Sequence, residues 1–276
     1  MDRKKCMIVG LPGSGKSTFL GALWYNLCNN EGKMLMKKGD FPSQITLLQK
    51  LENLWQRVEK IERNSTEQNI VDDVEIILKQ NDTQEEITLN VPDFWGEKFY
   101  NIVEQGNTDE IEEWCKESDS LLYMVSDVRS NMFIDDDKMD NQSEGGEDVL
   151  PLDAKQMSPA AINMMILKFL LAHKKFKRVV LAITRWDKVI NDGIEPKNME
   201  NPEIWLKNNS PAFYNFVKHF FPDVYIIGLS AQGCDYEKEG FDKEAVLIKT
   251  EDGNRAYVCD DDIHYDLSLP LNFLLS

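Results

Sequence analysis

One octapeptide constrains this chain more than any other stretch of it. Gly10-Leu11-Pro12-Gly13-Ser14-Gly15-Lys16-Ser17 satisfies G-x-x-x-x-G-K-[ST], between an apolar run at residues 5–9 and a helical pattern at residues 16–29. Strand, glycine turn and helix together are the context in which the pattern carries chemistry. Glycines let the backbone wrap a phosphate, and the helix start adds unpaired N–H groups and the positive end of its dipole. Lys16 is placed to reach the β- and γ-phosphates of a nucleotide, and the Ser17 hydroxyl to ligate Mg²⁺. Gly10, Gly13, Ser14, Gly15 and Thr18 complete the expected phosphate contacts. The plainer alternative is a glycine-rich turn that merely starts a helix.

Strands and helices alternate along the rest of the chain. Apolar residues at three-to-four spacing predict a second helix over residues 44–63, and a polar loop follows at 64–69. Residues 71–78 and 86–91 read as a strand pair about the turn-rich 80–83, with helical sequence within 97–116. Interior strands are expected at 121–125, 178–184 and 224–229, and helices at 159–173 and within 202–220. Residues 127–157 lack periodicity and are rich in Asp, Glu, Gly and Ser, which predicts a loop. The tail suggests a hairpin of 245–249 with 256–259 and a closing helix at 269–275. The expected architecture is a three-layer α/β/α domain, with a mostly parallel sheet, an antiparallel edge strand and insertions. Residues 1–231 form the domain, with insertions near 30–66 and 127–157, and 232–276 an extension packed on it.

Three further segments end strands, and ligands of such sheets bind at strand carboxyl ends. Leu89-Asn90-Val91-Pro92-Asp93-Phe94-Trp95-Gly96-Glu97 contains D-x-x-G. A carboxylate there can hold Mg²⁺ through water, and the Gly96 N–H can sense a γ-phosphate. Val180-Leu181-Ala182-Ile183-Thr184-Arg185-Trp186-Asp187 ends in T-R-x-D, and Ile226-Ile227-Gly228-Leu229-Ser230-Ala231 ends in Ser-Ala. An aspartate beyond a strand can accept hydrogen bonds from N1 and N2 of guanine, which adenine does not offer. The Arg185 stem can lie on the base, and a small Ser230-Ala231 turn lets a backbone N–H reach O6. Singly, each segment reads equally well as an ordinary strand exit; together and in this order they point to guanine.

The formal net charge of −17 provides no footprint for a nucleic-acid backbone or an anionic membrane, so neither is expected as a partner. Five cysteines without a C-x-x-C pair, and three histidines not spaced with them, argue for reduced thiols. No stretch approaches the ~20 apolar residues of a membrane span, and the expected location is cytoplasmic.

Ordered in this way, the motifs resemble those of the translation-factor-related (TRAFAC) GTPases over residues 4–231. The runs GLPGSGKSTFLGALW and VPDFWGE are similar to bacterial GTPase domains of paired-GTPase operons, which are associated with conflict or anti-phage defence. The resemblance implies GTP/GDP and Mg²⁺ as ligands, GTP hydrolysis, and a switch acting on a protein partner encoded nearby. It implies catalytic roles at Lys16 and Glu97, metal ligation by Ser17, Asp93 and a switch threonine, and base contacts from Thr184, Arg185, Asp187, Ser230 and Ala231. Thr66 is the expected switch residue, with Ser65 as its alternative, and Arg63 could serve as an arginine finger in cis or simply end a helix.

The chain departs from the family pattern at three positions. Thr184 stands where Asn is usual, Arg185 where Lys is usual, and Glu97 where many members place a water-positioning Gln. Arg and Lys are not interchangeable. A carboxylate at residue 97 faces the charge of a triphosphate and predicts slow or partner-assisted hydrolysis; the same acid also suits the first turn of a helix. Phe94-Trp95, the 44–63 helix and the 127–157 loop are the candidate partner surface. Two other readings stay open. A small-molecule kinase or ATPase would share the phosphate loop but needs a basic lid, and the long mid-chain loop is acidic; a nucleotide-holding subunit without turnover would suit Glu97.

Overall fold

The computed structural model describes residues 3–61, 74–91, 99, 102–104, 109–126, 128, 157–190 and 200–275. Among these, nine strands form a single sheet: β1 (Lys4–Gly10), β2 (Met36–Lys38), β3 (Val74–Gln80), β4 (Glu86–Val91), β5 (Ser120–Val125), β6 (Arg178–Thr184), β7 (Tyr225–Ser230), β8 (Tyr257–Cys259) and β9 (Ile263–His264). Their order is β2-β3-β4-β1-β5-β6-β7-β8-β9. The five central strands β4 to β7 run parallel, and both flanks are antiparallel.

Helices cover both faces: α1 (Lys16–Asn29), α2 (Ile45–Gln56), α3 (Asp109–Glu117), α4 (Pro159–His173), α5 (Trp186–Val189), α6 (Pro202–Asn209), α7 (Pro211–Phe220), α8 (Lys243–Glu251) and α9 (Leu269–Leu275). Alternate residues of the central strands feed two separate cores, as the two-residue period of a strand requires. Cys6, Ile8, Leu122, Met124, Val180 and Ala182 pack with α1, α2 and α9. Met7, Val9, Leu121, Tyr123, Leu181 and Ile183 pack with α3, α4, α6 and α7 on the opposite face. This is the three-layer α/β/α arrangement expected from the alternation, with strands buried on both faces reading as apolar runs.

Two expectations need correction. The second helix stops at Gln56, short of residue 63. Val58 N–H donates to Trp55 O (3.0 Å) and Glu59 N–H to Leu54 O (3.0 Å), with Val58 at φ 59°. That is a Schellman termination with a β-branched residue at the left-handed position, so propensity gave no warning of it. The helices expected within 202–220 are two, as Pro211 opens the second one at Ser210. The hairpin of 245–249 with 256–259 does not form. Instead Asp242 caps α8 by accepting from Ala245 N–H (3.1 Å), and Val246 and Thr250 bury one helical face. Ala245-Val246-Leu247-Ile248 is a short apolar run of the kind that periodicity cannot assign. Residues Tyr257–Cys259 pair with β7 and with β9. The expected antiparallel edge is present, and the opposite flank is antiparallel as well; β2 is too short to show a pattern. The expected 127–157 loop, apart from Val128 and Met157, lies outside the described residues.

Candidate functional site

Register brings the carboxyl ends of β1, β5, β6 and β7 to one edge of the sheet: Gly10 lies opposite Met124, Val125 opposite Ile183, and Thr184 opposite Leu229. A cavity of about 430 Å³ opens there, within the range of small-molecule sites, ~300–1,000 Å³. Gly13 to Thr18 line one end, and Thr184, Arg185, Asp187 and Ala231 line the other.

At the first end the backbone makes the cradle. Gly13 (φ 76°) and Gly15 (φ 86°) occupy the left-handed region that side chains rarely adopt, and Ser14 N–H donates to Leu11 O (3.0 Å) to close the turn. The first helical bond is Phe19 N–H to Gly15 O (2.9 Å), so N–H groups of the first turn lack helical acceptors. Lys16 Nζ donates to Gly10 O (2.5 Å) and to Leu11 O (3.3 Å), which ties the ammonium to the loop itself. A Cβ on Gly10 would sit 2.4 Å from Met124 O and 2.5 Å from Ser14 Oγ, so the loop rests directly on β5. Ser14 Oγ is buried without a hydrogen-bond partner among the described residues, whereas Ser17 is exposed on the cavity wall. Left-handed glycines, first-turn N–H groups without helical acceptors and an accessible hydroxyl after the lysine fit a phosphate chain.

At the other end, packing places a carboxylate. Arg185 turns the chain in the left-handed region (φ 55°, ψ 40°), and Arg185 Nη2 donates to Gly13 O (3.3 Å), which links the two ends of the site. Trp186 is buried against Gly228, where an added Cβ would lie 2.4 Å from the indole, and meets Trp205 edge-on at 5.8 Å. These contacts fix the turn, so that Asp187 is only 4% exposed. Burial pushes its carboxyl above the usual range, and the Ser230 hydroxyl, donating to Asp187 Oδ1 at 2.5 Å, works in the opposite direction. Thr184 Oγ1 donates to Val125 O (3.1 Å), so threonine at this position braces β6 against β5.

Of the residues expected from the sequence, Gly13, Ser14, Gly15, Lys16, Ser17, Thr18, Thr184, Arg185, Asp187 and Ala231 share this cavity, and Ser230 stands behind Asp187. Arg63, Ser65, Thr66, Asp93, Phe94, Trp95, Gly96 and Glu97 lie outside the described residues. Sequence reasoning missed one wall: Gln232, Cys234, Asp235, Tyr236 and Glu237, with Lys60 and Ile61 facing them. Lys188 pairs with Asp235 (3.0 Å), and Lys60 with Glu237. That stretch is polar and aperiodic, and its only signal was its place directly after Ser230-Ala231. Among the described residues no group of three or more His, Cys, Asp or Glu side chains is arranged to hold a metal, and no helix is long and apolar enough to cross a membrane.

A phosphate cradle and a buried carboxylate, set at opposite ends of one cavity on a mostly parallel sheet, define a phosphate-loop nucleotide-binding domain of the GTPase type. The chain belongs to the Double-GTPase 1 family, whose model matches residues 7–274. No curated protein matches its sequence. Among solved structures it is similar to the G domain of the FeoB iron transporter from T. maritima, with 13% identity and a TM-score of 0.34 over 90% of this chain and 99% of that one. It is also similar to the GTPase-like domain of S. cerevisiae Ski7 bound to GDP and inorganic phosphate, at 13% identity and a TM-score of 0.44 over 87% of this chain and 46% of that one. A third likeness is to the signal recognition particle receptor SRb-GTP/SRX complex from Chaetomium thermophilum, at 13% identity and a TM-score of 0.39, covering 84% and 92%. At these identities the resemblance is one of fold alone.

Proposed function

We propose that this chain is a cytoplasmic GTP-binding switch that takes up Mg-GTP, hydrolyses it slowly or with assistance, and thereby controls a protein partner encoded nearby. The observation that supports it best is the pairing of Ser230 with a buried Asp187 across the cavity from Gly13–Thr18. A carboxylate so placed selects guanine through its N1 and N2 donors, and the buried polar site rejects a base that cannot supply them.

Roles follow from position. The loop N–H groups and Lys16 bind the phosphates, and Lys16 stabilises charge that develops on the β–γ bridge. The exposed Ser17 hydroxyl is the ligand this chain offers to Mg²⁺ beside the phosphates, with Asp93 and Thr66 as its proposed companions. Mg²⁺, when bound, neutralises phosphate charge. Glu97 is the proposed water-side residue, and its charge supports slow intrinsic turnover with a partner completing the site. The operon resemblance noted above supports a role in conflict or anti-phage defence.

The test is Mg-dependent binding and hydrolysis of GTP and ATP by the wild type, Lys16→Ala and Asp187→Ala. Lys16→Ala is expected to lose both nucleotides, and Asp187→Ala to weaken GTP selectively. Equal affinity of the wild type for GTP and ATP would sink the guanine assignment, and phosphoryl transfer to a small acceptor would replace the switch with a kinase.

A further inference from the structure

Among the described residues Arg255 is the one buried arginine, at 3% exposure, and no carboxylate there pairs with it. Its guanidinium is satisfied by neutral groups. Nε donates to Gln232 O (3.1 Å), Nη1 to Trp55 O (2.6 Å) and Thr250 Oγ1 (3.2 Å), and Nη2 to the Tyr236 hydroxyl. The Trp55 ring lies 4.0 Å from its central carbon. A buried cation without a counter-ion is costly to keep, and these hydrogen bonds offset that cost.

They end at the base-selecting carboxylate. Arg255 holds the carbonyl of Gln232, and across a trans peptide the N–H of the next residue points the opposite way. That next N–H, of Gly233, donates to Ser230 Oγ (3.1 Å), and Ser230 Oγ donates to Asp187 Oδ1 (2.5 Å). With its acceptor side engaged by Gly233, the Ser230 hydroxyl proton is directed at Asp187. Residue 233 is suited only to glycine, with φ 88° and a would-be Cβ 2.5 Å from Arg255 O, so the peptide and the arginine are packed as one piece. Beside them, Trp55 Nε1 donates to Ala231 O (2.7 Å), and Val58 packs with Cys234 and Val246. The left-handed strain at Val58 is thus held by the same cluster that backs the cavity wall.

We propose that Arg255 is a positioning residue for base selection: through the Gln232–Gly233 peptide and the Ser230 hydroxyl it fixes Asp187 in the orientation that reads guanine. This rests on the guanine reading of Asp187. The chain of contacts runs from the C-terminal segment to the base end of the cavity and touches no part of the phosphate loop. Loss of Arg255 therefore alters discrimination between bases more than affinity for phosphates.

The experiment measures dissociation constants of GTP, inosine triphosphate and ATP for the wild type, Arg255→Lys and Tyr236→Phe, with thermal melting of each. Arg255→Lys keeps the charge and stem but loses the fork; Tyr236→Phe removes one partner of the guanidinium and threatens folding less. Arg255→Lys is expected to lower the GTP-over-ATP preference by about tenfold, chiefly through GTP, and Tyr236→Phe to lower it less in the same direction. In an Asp187→Ala background neither change should move the preference further. A merely structural role lowers the melting temperature, or all three affinities alike, and leaves the ratio within about twofold; that result overturns the proposal. If Arg255→Lys does not fold, an unchanged ratio in Tyr236→Phe overturns it equally. A wild type without GTP preference refutes the guanine reading itself, whereas a preference that survives Arg255→Lys refutes only the role of Arg255.

Discussion

Replacing Asp187 with asparagine tests the base end of the site with almost no change of shape. The Ser230 hydroxyl accepts from Gly233 N–H and donates to Asp187 Oδ1, so an asparagine in the same place keeps its carbonyl oxygen toward Ser230. Its amide NH₂ then takes the position of Oδ2. Guanine presents two donors to this side chain, and one of them now faces another donor. The loss is a charge-assisted hydrogen bond, about 1.5–3 kcal/mol, plus two opposed buried donors, about 1–3 kcal/mol. Together these amount to roughly a hundredfold to ten-thousandfold weaker GTP binding. Xanthine carries a carbonyl where guanine has its amino group, so xanthosine triphosphate should recover most of the affinity. Titration calorimetry with both nucleotides provides the measurement. A variant that binds GTP within about threefold of the wild type, or that prefers GTP to xanthosine triphosphate, would refute the placement of Asp187 against the base. The sign of the pH effect follows from burial, which raises the Asp187 pKa in the fold. The ionised form therefore costs stability at neutral pH, and that cost is relieved as pH falls through the raised value. Asp187→Asn should then melt no lower than the wild type at pH 7. Wild-type GTP affinity should weaken on acidification towards that value, and the asparagine variant should lack this dependence.

Other substitutions separate the parts of the site. Gly228→Ala drives a methyl group to 2.4 Å from the Trp186 ring, and overpacking of this kind costs about 1–3 kcal/mol; thermal melting should fall, and GTP affinity should drop more than that for inorganic triphosphate. Gly10→Ala has the opposite signature, because its Cβ would strike Met124 O and Ser14 Oγ beneath the loop, and binding of GTP and triphosphate should weaken together in a filter or fluorescence assay. Asp242→Ala removes the cap of α8, which accepts from Ala245 N–H at 3.1 Å. It should cost about 1 kcal/mol in chemical denaturation and leave GTP and ATP discrimination unchanged.

The legible parts of the sequence are those in which local signals agree. Helix α4 is marked by Ser158, whose Oγ accepts from Ala161 N–H, by Pro159 in the first turn and by a long apolar stretch; the expected and observed bounds coincide. Strand β6 is apolar throughout because it is buried on both faces, and it too falls where expected. The phosphate cradle is readable because eight contiguous residues make it. Failures occur where the deciding contact is distant in the chain. Nothing near Val58 announces that α2 ends there; its packing against Cys234 and Val246 does. Arg255, in Gly253-Asn254-Arg255, looks like a solvated turn, and its burial follows from Trp55 and Tyr236, 200 and 19 positions away. The wall at residues 232–237 is polar and without period, so its role appears only once the end of α2 meets the loop after β7, through Trp55 Nε1 to Ala231 O and Val58 against Cys234.

This contrast says something about how the two ends of the cavity can change. The phosphate end is a local structure: Gly13, Gly15 and Lys16 keep their geometry through bonds within the loop, such as Ser14 N–H to Leu11 O and Lys16 Nζ to Gly10 O. The base end is assembled from the turn after β6, the loop after β7, the end of α2 and the segment before β8, joined by bonds such as Ser230 Oγ to Asp187, Trp55 Nε1 to Ala231 O and Arg255 Nε to Gln232 O. Arg185 joins the ends through its bond to Gly13 O, at 3.3 Å and from an exposed side chain, which makes it a weak link. Changes in the C-terminal segment are therefore transmitted to base recognition, whereas α2 also packs closely on α1, where a Cβ on Gly21 would lie 2.8 Å from Leu51 O, and so touches both ends of the site.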